Sequence, residues 1–333
     1  MPMPTDVPII DTMVGFPTAD RKQIYKFLAP ELRDSESLEQ FRMPAEYMFK
    51  DVPKNIDPDI DPVAVTLHNM DTYNVAQAMV SVSEASERAH TVRAVADHPD
   101  RFIPATEVDP RDGMEAVRKI VRLHEAHGLK AVTTFPAGYR TAINDRAYYP
   151  IYAKCVELDL PIFSCTGVPG PRVPMEPQTV AYIDDVCWFF PDLRFVMRHG
   201  AQPDTELAVK LMLKWPNLFY STSAFAPKHY DRHILDYANS RGADKVLYAG
   251  YFPAGLTYER IMSELPAVPL NDDVWPKFLR QNAERVLRLC WPQPVTPIRS
   301  RRPLRTLDDG AEPDPRIALV AWLLGWLLLW RVP

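Results

Sequence analysis

Short apolar runs alternate with helical segments along most of this chain, and this alternation constrains the fold more than any other feature. Eight runs are too brief for helices and have strand character. They lie at Val7–Ile10, Val75–Val82, Phe102–Val108, Lys130–Phe135, Leu160–Phe163, Leu193–Met197, Leu218–Ser221 and Lys245–Tyr248. Segments with helical spacing separate them, and the last of these is Trp275–Leu289. Strand–helix pairs repeated in this way predict a parallel sheet covered by helices.

Eight such repeats predict an α/β fold, a (β/α)8 TIM barrel, over residues 1–290. A doubly wound open sheet is the alternative, but no glycine-rich dinucleotide-binding loop follows any of the strands. Residues 17–64 are rich in Pro, Asp and Phe and form an extended insertion after the first strand, with one helix predicted at Arg21–Leu28. An insertion of this length often serves as a lid or an interface.

The end of the chain departs from the pattern. Residues 291–315 contain many Pro, Arg and Asp residues without periodicity, which predicts a flexible linker. Residues 316–333 form a short apolar tail, in which Ile317–Trp330 spans 14 residues. Because a membrane span needs about 20 residues, we do not expect the tail to contact a membrane. An interfacial helix and an oligomer contact are alternatives, and the product of a shifted reading frame is the interpretation that we favour.

Composition narrows the classes of partner. The net charge of −5 leaves no basic excess to neutralise a phosphate backbone, so we expect a small-molecule substrate and no nucleic acid. The four cysteines, Cys155, Cys165, Cys187 and Cys290, lack paired metal-site spacing, and the N-terminus lacks the pattern of a secretory signal. These features predict a cytoplasmic protein with free thiols.

A candidate ligand site follows the fifth predicted strand. Ser164, Cys165 and Thr166 come directly after it, and the loop Gly167–Pro174 then carries Arg172. Small polar groups at the carboxyl end of a parallel strand are typical of ligand sites in barrels. The alternative is that these small residues are simply buried and that the prolines stiffen a surface loop.

An ordered set of phrases resembles the amidohydrolase-related family, which includes aminocarboxymuconate-semialdehyde decarboxylase and other metal-dependent hydrolases and decarboxylases on a TIM barrel. The phrases are IIDT (9–12), MDTYNVAQAMVSV (70–82), GLKAVTTFP (128–136), YYPIYAKCVELDLPIFSCTGVPGP (148–171), PDLRFVMRHG (191–200), YSTSAFAPKHY (220–230) and NAERVLRL (282–289). No single phrase is decisive, but their order covers residues 8–289. Members of the family often pair, so the resemblance also implies a homodimer, with residues 17–64 as one candidate contact.

The resemblance implies that most metal ligands of the family are substituted. In metal-binding members the first strand ends in His-x-His, where this chain has Met13 and Gly15. Cys165 stands at the position of the fifth-strand histidine, and Tyr251 at that of the eighth-strand aspartate, whereas His199 keeps the sixth-strand histidine. A catalytic zinc site needs about three protein ligands, so we expect no bound metal and no other cofactor.

The expected catalytic residues are His199, Tyr251 and Cys165. His199 would move a proton, or else be a hydrogen-bonded remnant. Tyr251 would polarise a carbonyl, or fill the space that a metal leaves. Cys165 would act as a nucleophile if His199 lowered its pKa, although a lone cysteine is more often a small buried residue.

The expected substrate-binding residues are Arg172, Asp11 and Thr222. Arg172 has a planar guanidinium suited to a carboxylate, or else it is a solvated loop residue. Asp11 faces the barrel interior or braces a loop, and Thr222 could line the pocket. Glu107 and Asp109 could form an acid–base pair, but Asp109 is as plausibly a helix cap.

These expectations combine into one functional hypothesis and one alternative. The hypothesis is an enzyme, a hydrolase or a carbon–carbon lyase such as a decarboxylase, that acts without metal on a small carboxylated or lactone-type substrate. The alternative is a catalytically inactive barrel that serves as a ligand-binding or interaction protein.

Overall fold

Eight parallel strands form one sheet in the computed structural model of the chain, in the order β1 to β8, which confirms the predicted barrel. The structure describes residues 3–18, 21–39, 45–49, 52, 59–85 and 89–289. The predicted linker and apolar tail therefore lie outside the described residues. The strands are β1 (Ile9–Asp11), β2 (Val75–Ser81), β3 (Phe102–Glu107), β4 (Ala131–Thr134), β5 (Ile162–Cys165), β6 (Phe195–Arg198), β7 (Leu218–Ser221) and β8 (Val246–Leu247).

Helices alternate with these strands as the sequence predicts. They are α1 (Arg21–Tyr25), α2 (Ser35–Glu39), α3 (Pro62–Thr72), α4 (Ala89–Asp97), α5 (Met114–His127), α6 (Pro136–Tyr139), α7 (Tyr149–Glu157), α8 (Ile183–Phe189), α9 (Thr205–Lys214), α10 (Arg232–Ala238), α11 (Tyr258–Glu264) and α12 (Asn282–Leu287). Gly128 ends α5 in the left-handed conformation, at φ 64°, which a glycine adopts without strain. No helix in the described part of the chain is long and apolar enough to cross a bilayer.

Hydrogen bonds between the tips of β1 and β8 close the sheet into a barrel. The Thr12 hydroxyl donates to the carbonyl of Tyr248 at 2.9 Å, and the Gly15 amide donates to the carbonyl of Phe252 at 2.7 Å. Val14 and Phe252 also form a parallel bridge. This seam brings the first and last strands together, so the residues that follow them share one end of the barrel.

The barrel interior is filled by one apolar side chain or two from each strand. This interior layer comprises Ile10, Met79, Ile103, Ala105, Ala131, Phe163, Val196, Phe219 and Leu247. Three residues of α12, Ala283, Val286 and Leu287, belong to the same cluster. The interior is therefore a packed core, and chemistry is confined to the strand ends above it.

The insertion after β1 packs on loops at the C-terminal ends of the strands. Leu32 clusters with Ala137 after β4 and with Val173 after β5. Tyr47 donates a hydrogen bond to the carbonyl of Gly170 at 2.8 Å, and the ring of Phe49 lies 5.7 Å from that of Tyr251. The predicted insertion thus covers part of the barrel mouth.

Candidate active site

On the inner face of the barrel, the side chains change from apolar to polar towards the C-terminal ends of the strands. Arg198 lies two positions after the interior residue Val196, and Cys165 two positions after the interior residue Phe163. Glu107 stands in the same relation to Ala105. Because residues i and i+2 of a strand share a face, these polar side chains lie above the apolar interior layer.

Arg198 joins several strands at this level. Its side chain is only 5% exposed. Nη1 lies 3.8 Å from the sulfur of Met13 after β1, and Nη2 donates to the carbonyl of Thr134 on β4 at 3.3 Å. Nη2 also lies 3.5 Å from one carboxylate oxygen of Glu107 on β3. The other carboxylate oxygen of Glu107 accepts a hydrogen bond from the Tyr139 hydroxyl at 2.8 Å. A buried positive charge therefore lies among the strand ends.

His199 follows Arg198 at the tip of β6 and contacts the tip of β7. The Ser223 hydroxyl accepts a hydrogen bond from the backbone amide of His199 at 3.1 Å and lies 3.0 Å from its Nδ1. Burial, and secondly the charge of Arg198, hold the pKa of His199 well below its usual 6.5. The imidazole is consequently neutral at neutral pH, with one ring nitrogen unprotonated and of lowered basicity.

Tyr251 at the tip of β8 lies against His199. The centroids of the two rings are 5.2 Å apart, and the Tyr251 amide donates to the carbonyl of Met13 at 3.2 Å. Burial raises the pKa of Tyr251 well above 10, so its phenol stays protonated and can donate a hydrogen bond. The structure thus brings the tips of β1, β6 and β8 together.

Positive φ angles occur at non-glycine residues that follow three neighbouring strands. They are His199 (φ 66°), Ala224 (φ 71°) and Tyr251 (φ 114°), which follow β6, β7 and β8. Such conformations cost free energy and concentrate at functional sites. Their position at three neighbouring strand tips supports a functional role for this end.

Cys165 lies in the site but is not activated as a nucleophile. Its side chain is buried, and burial raises the pKa of the thiol to about 11 despite the opposing charge of Arg198. Only the thiolate is strongly nucleophilic. The nucleophilic role of Cys165 stays a prediction that its environment does not support. Cys155 and Cys187 are also free and buried, whereas Cys290 lies outside the described residues.

The side chains of Asp11 and Thr222 form hydrogen bonds with neighbouring strand tips. Asp11 accepts hydrogen bonds from the amides of Met13 and Gly250 at 3.0 and 2.9 Å and from the Tyr258 hydroxyl at 3.0 Å. Thr222 accepts a hydrogen bond from the amide of Ala249 at 3.2 Å. Both residues brace the strand tips, and their substrate-binding roles stay predictions.

Arg172 pairs with the insertion. Its Nη1 lies 2.7 Å from a carboxylate oxygen of Asp34 and 2.8 Å from one of Glu36, and its guanidinium lies 4.6 Å from the ring centroid of Tyr47. Its role as a carboxylate anchor also stays a prediction. Asp109 caps the short helix Pro110–Asp112 and pairs with Arg111, whereas Glu107 pairs with Arg198. The acid–base pair of Glu107 and Asp109 stays a prediction.

The residues at the strand ends do not fit a divalent metal ion. Met13 and Gly15 offer no hard or borderline ligand, and the Arg198 guanidinium lies against Met13. Within the described ranges, no group of three or more His, Cys, Asp or Glu side chains could hold a metal ion. A divalent cation placed here would face the fixed positive charge of Arg198, which already pairs with the carboxylate of Glu107.

The site residue that sequence reasoning missed is Arg198. The sequence places it beside His199 at the end of a predicted strand. The period-two alternation that puts Val196 inside the barrel would also have put Arg198 on the inner face. Tyr139, the hydrogen-bond donor to Glu107, was missed as well, because no sequence pattern relates residues on β3 and α6.

Comparison with known proteins places the chain in a family. The model of the family described as amidohydrolase matches residues 28–289. No curated protein matches the sequence at a significant level.

Several solved structures share the fold. An uncharacterized TIM-barrel protein from Bordetella bronchiseptica is 22% identical, with a TM-score of 0.63 over 84% of this chain and 98% of that one. A 5-carboxyvanillate decarboxylase from Novosphingobium aromaticivorans, complexed with manganese and 4-hydroxy-3-methoxy-5-nitrobenzoic acid, is 16% identical, with a TM-score of 0.61 over 85% and 97%. A 4-oxalomesaconate hydratase from Rhodopseudomonas palustris is 20% identical, with a TM-score of 0.54 over 84% and 95%.

Proposed function

This chain belongs to the amidohydrolase family, and on that premise we propose that it is a hydrolase or decarboxylase of a small carboxylated or lactone-type substrate that works without a bound metal. The observation that carries the proposal is the pairing of a neutral His199 with Tyr251, at a ring distance of 5.2 Å. One side chain can accept a proton, and the other can donate a hydrogen bond to a carbonyl.

Hydrolysis of a lactone uses both groups. His199 takes a proton from a water molecule as its oxygen attacks the lactone carbonyl, and the phenol of Tyr251 donates a hydrogen bond to the carbonyl oxygen. The ring C–O bond then breaks, and the imidazolium returns the proton to the leaving oxygen. The product is a hydroxy acid, and no metal takes part. This role requires the tautomer with its proton on Nδ1, which donates to Ser223 and leaves Nε2 free.

A screen of lactones, esters and aromatic carboxylates in the presence of EDTA tests the proposal. We expect turnover by the wild-type protein and a loss of about 10²- to 10⁴-fold in kcat for His199→Ala. Protonation of His199 would remove the proton acceptor. Because the pKa of His199 is held well below 6.5, turnover should stay constant as the pH is lowered to 6.5 and should fall only at lower pH. The pH–rate profile measures this.

One control variant and one outcome separate the proposal from its alternative. His98→Ala removes a histidine that precedes β3, outside the strand tips, and should leave kcat unchanged. If neither the wild-type protein nor the variants turn over any compound, while a ligand still raises the melting temperature, the barrel is a binding protein and the proposal fails.

A further inference from the structure

We propose that the guanidinium of Arg198 is the fixed cation of this site, that it takes the electrostatic place of a divalent metal ion, and that it binds the carboxylate of a small anionic ligand. The inference rests on the proposed function in taking the barrel mouth as the substrate site. It adds the residue that anchors the substrate and the charge that the substrate must carry.

Position is the first argument. Arg198 contacts groups that follow or end three other strands: Met13 after β1, Glu107 on β3 and the carbonyl of Thr134 on β4. Its charge also acts on Cys165 at the end of β5. Ligands of a TIM barrel bind at the C-terminal ends of its strands. The guanidinium therefore lies at the end of the barrel where a ligand would bind, in contact with groups from several strands.

Incomplete pairing is the second argument. The Nε of Arg198 has no hydrogen-bond partner among the described residues, although the side chain is only 5% exposed. Nη1 contacts a thioether sulfur, a weak acceptor, and the Cys165 thiol is a further weak partner of the side chain. Glu107 lies at 3.5 Å while also accepting from Tyr139. A buried donor without an acceptor is costly. A carboxylate oxygen at Nε would remove this cost.

A second unpartnered polar atom belongs to the same region. The hydroxyl of Thr133 is buried and has no hydrogen-bond partner within the described ranges. Thr133 lies two positions after the interior residue Ala131 on β4, and its register partner on β3 is Glu107. Alternation places Thr133 on the inner face, so a hydroxyl donor accompanies the guanidinium above the apolar interior layer.

The charges around Arg198 favour an anion over a second cation. Glu107 is the one acidic side chain that pairs with it among the described residues. The planar fork of an arginine matches a carboxylate bidentately. Tyr251 and Phe49 place aromatic rings beside the site, which suits a carboxylate attached to a ring.

Binding of benzoate, measured by calorimetry, tests the inference without requiring turnover. Wild-type protein should bind benzoate at least tenfold more tightly than benzamide, its neutral analogue. Arg198→Met should lose at least tenfold in benzoate affinity, and Arg198→Lys, which keeps the charge but not the planar fork, should lose less. Arg194→Met is the matched control, because Arg194 precedes the same strand and pairs with Asp159; its benzoate affinity should match that of wild type.

Several outcomes would overturn the inference. They are no binding of benzoate to the wild-type protein, equal affinity for benzamide, and wild-type affinity in Arg198→Met. If Arg198→Met does not fold, Arg198→Gln, which also removes the charge, takes its place, and wild-type affinity in that variant has the same meaning. Loss of binding only in Arg172→Ala would assign the anion to the other arginine. Stoichiometric zinc or manganese retained through dialysis would also contradict it.

Failure of the proposed function has a different result. If benzoate binds through Arg198 but no compound is turned over, the anion site stands and the catalytic proposal fails. If turnover depends on His199 but the affinity for benzoate is unchanged by substitution of Arg198, the catalytic proposal stands and this inference fails.

Discussion

Asp11 shows how a single carboxyl can brace the barrel at an energetic cost. It is fully buried and accepts three hydrogen bonds, from Met13, Gly250 and Tyr258. Burial nevertheless dominates and raises the pKa of Asp11 from 3.8 to about 6. The ionised form is therefore less stable in the folded protein than in water. The contribution of Asp11 to stability is fully present below about pH 3.8 and is lost as the pH rises through 6.

Replacing Asp11 with Asn should remove this pH dependence. The pKa difference corresponds to about 3 kcal/mol. The wild-type protein should therefore lose about this much free energy of unfolding, relative to Asp11→Asn, between pH 4 and pH 7. Urea denaturation at each pH measures it. The amide can keep all three hydrogen bonds, with its NH2 donating to Tyr258. Asp192→Asn, at an exposed carboxyl before β6, is the control. An equal pH dependence in wild type and Asp11→Asn would refute the argument.

At the scale of elements, the seam between β1 and β8 depends on close approach at Gly250. A Cβ at this position would lie 2.6 Å from a carboxylate oxygen of Asp11 and 3.2 Å from the side chain of Ile261. The two strands are distant in sequence, and the Gly250 amide also donates to Asp11 across the seam. Only a residue without a side chain allows the two strand tips to approach in this way.

Gly250→Ala should therefore destabilise the protein by about 1–3 kcal/mol, the range for overpacking. Gly15→Ala is the matched control on the same seam, because its Cβ would lie 3.4 Å from Pro253, an ordinary contact. It should change stability by less than about 0.5 kcal/mol. Denaturant unfolding of both variants gives the comparison. Equal losses of stability in the two variants would show that the lack of space for a side chain at Gly250 does not determine the stability of the seam.

At the scale of the whole molecule, the barrel forms a unit of its own that ends at Leu289. Met1–Leu289 forms one compact unit, and its last helix, α12, contributes three residues to the barrel interior. The family model also ends at residue 289. Among the described residues, the core therefore ends with α12 and requires it.

A chain shortened to residues 1–290 should unfold within about 2 °C of the full chain, since a change of 1 kcal/mol shifts Tm by a few degrees in a protein of this size. A chain ending at residue 279, which lacks α12, should fail to fold cooperatively. Differential scanning calorimetry of both tests this. A fall of more than about 5 °C in the 1–290 chain would mean that the barrel depends on its tail.

The order and approximate bounds of the eight strands followed from the sequence alone, because strand and helix periodicity is a local property of the chain. Local pattern also placed His199 and Tyr251 at strand tips. Pairing came only from the tertiary structure. It placed Arg198 against Met13, 185 residues away, paired Arg172 with the insertion, and joined Asp11 to Gly250, 239 residues away. These contacts depend on how the barrel closes, and closure brings together residues that no local pattern relates.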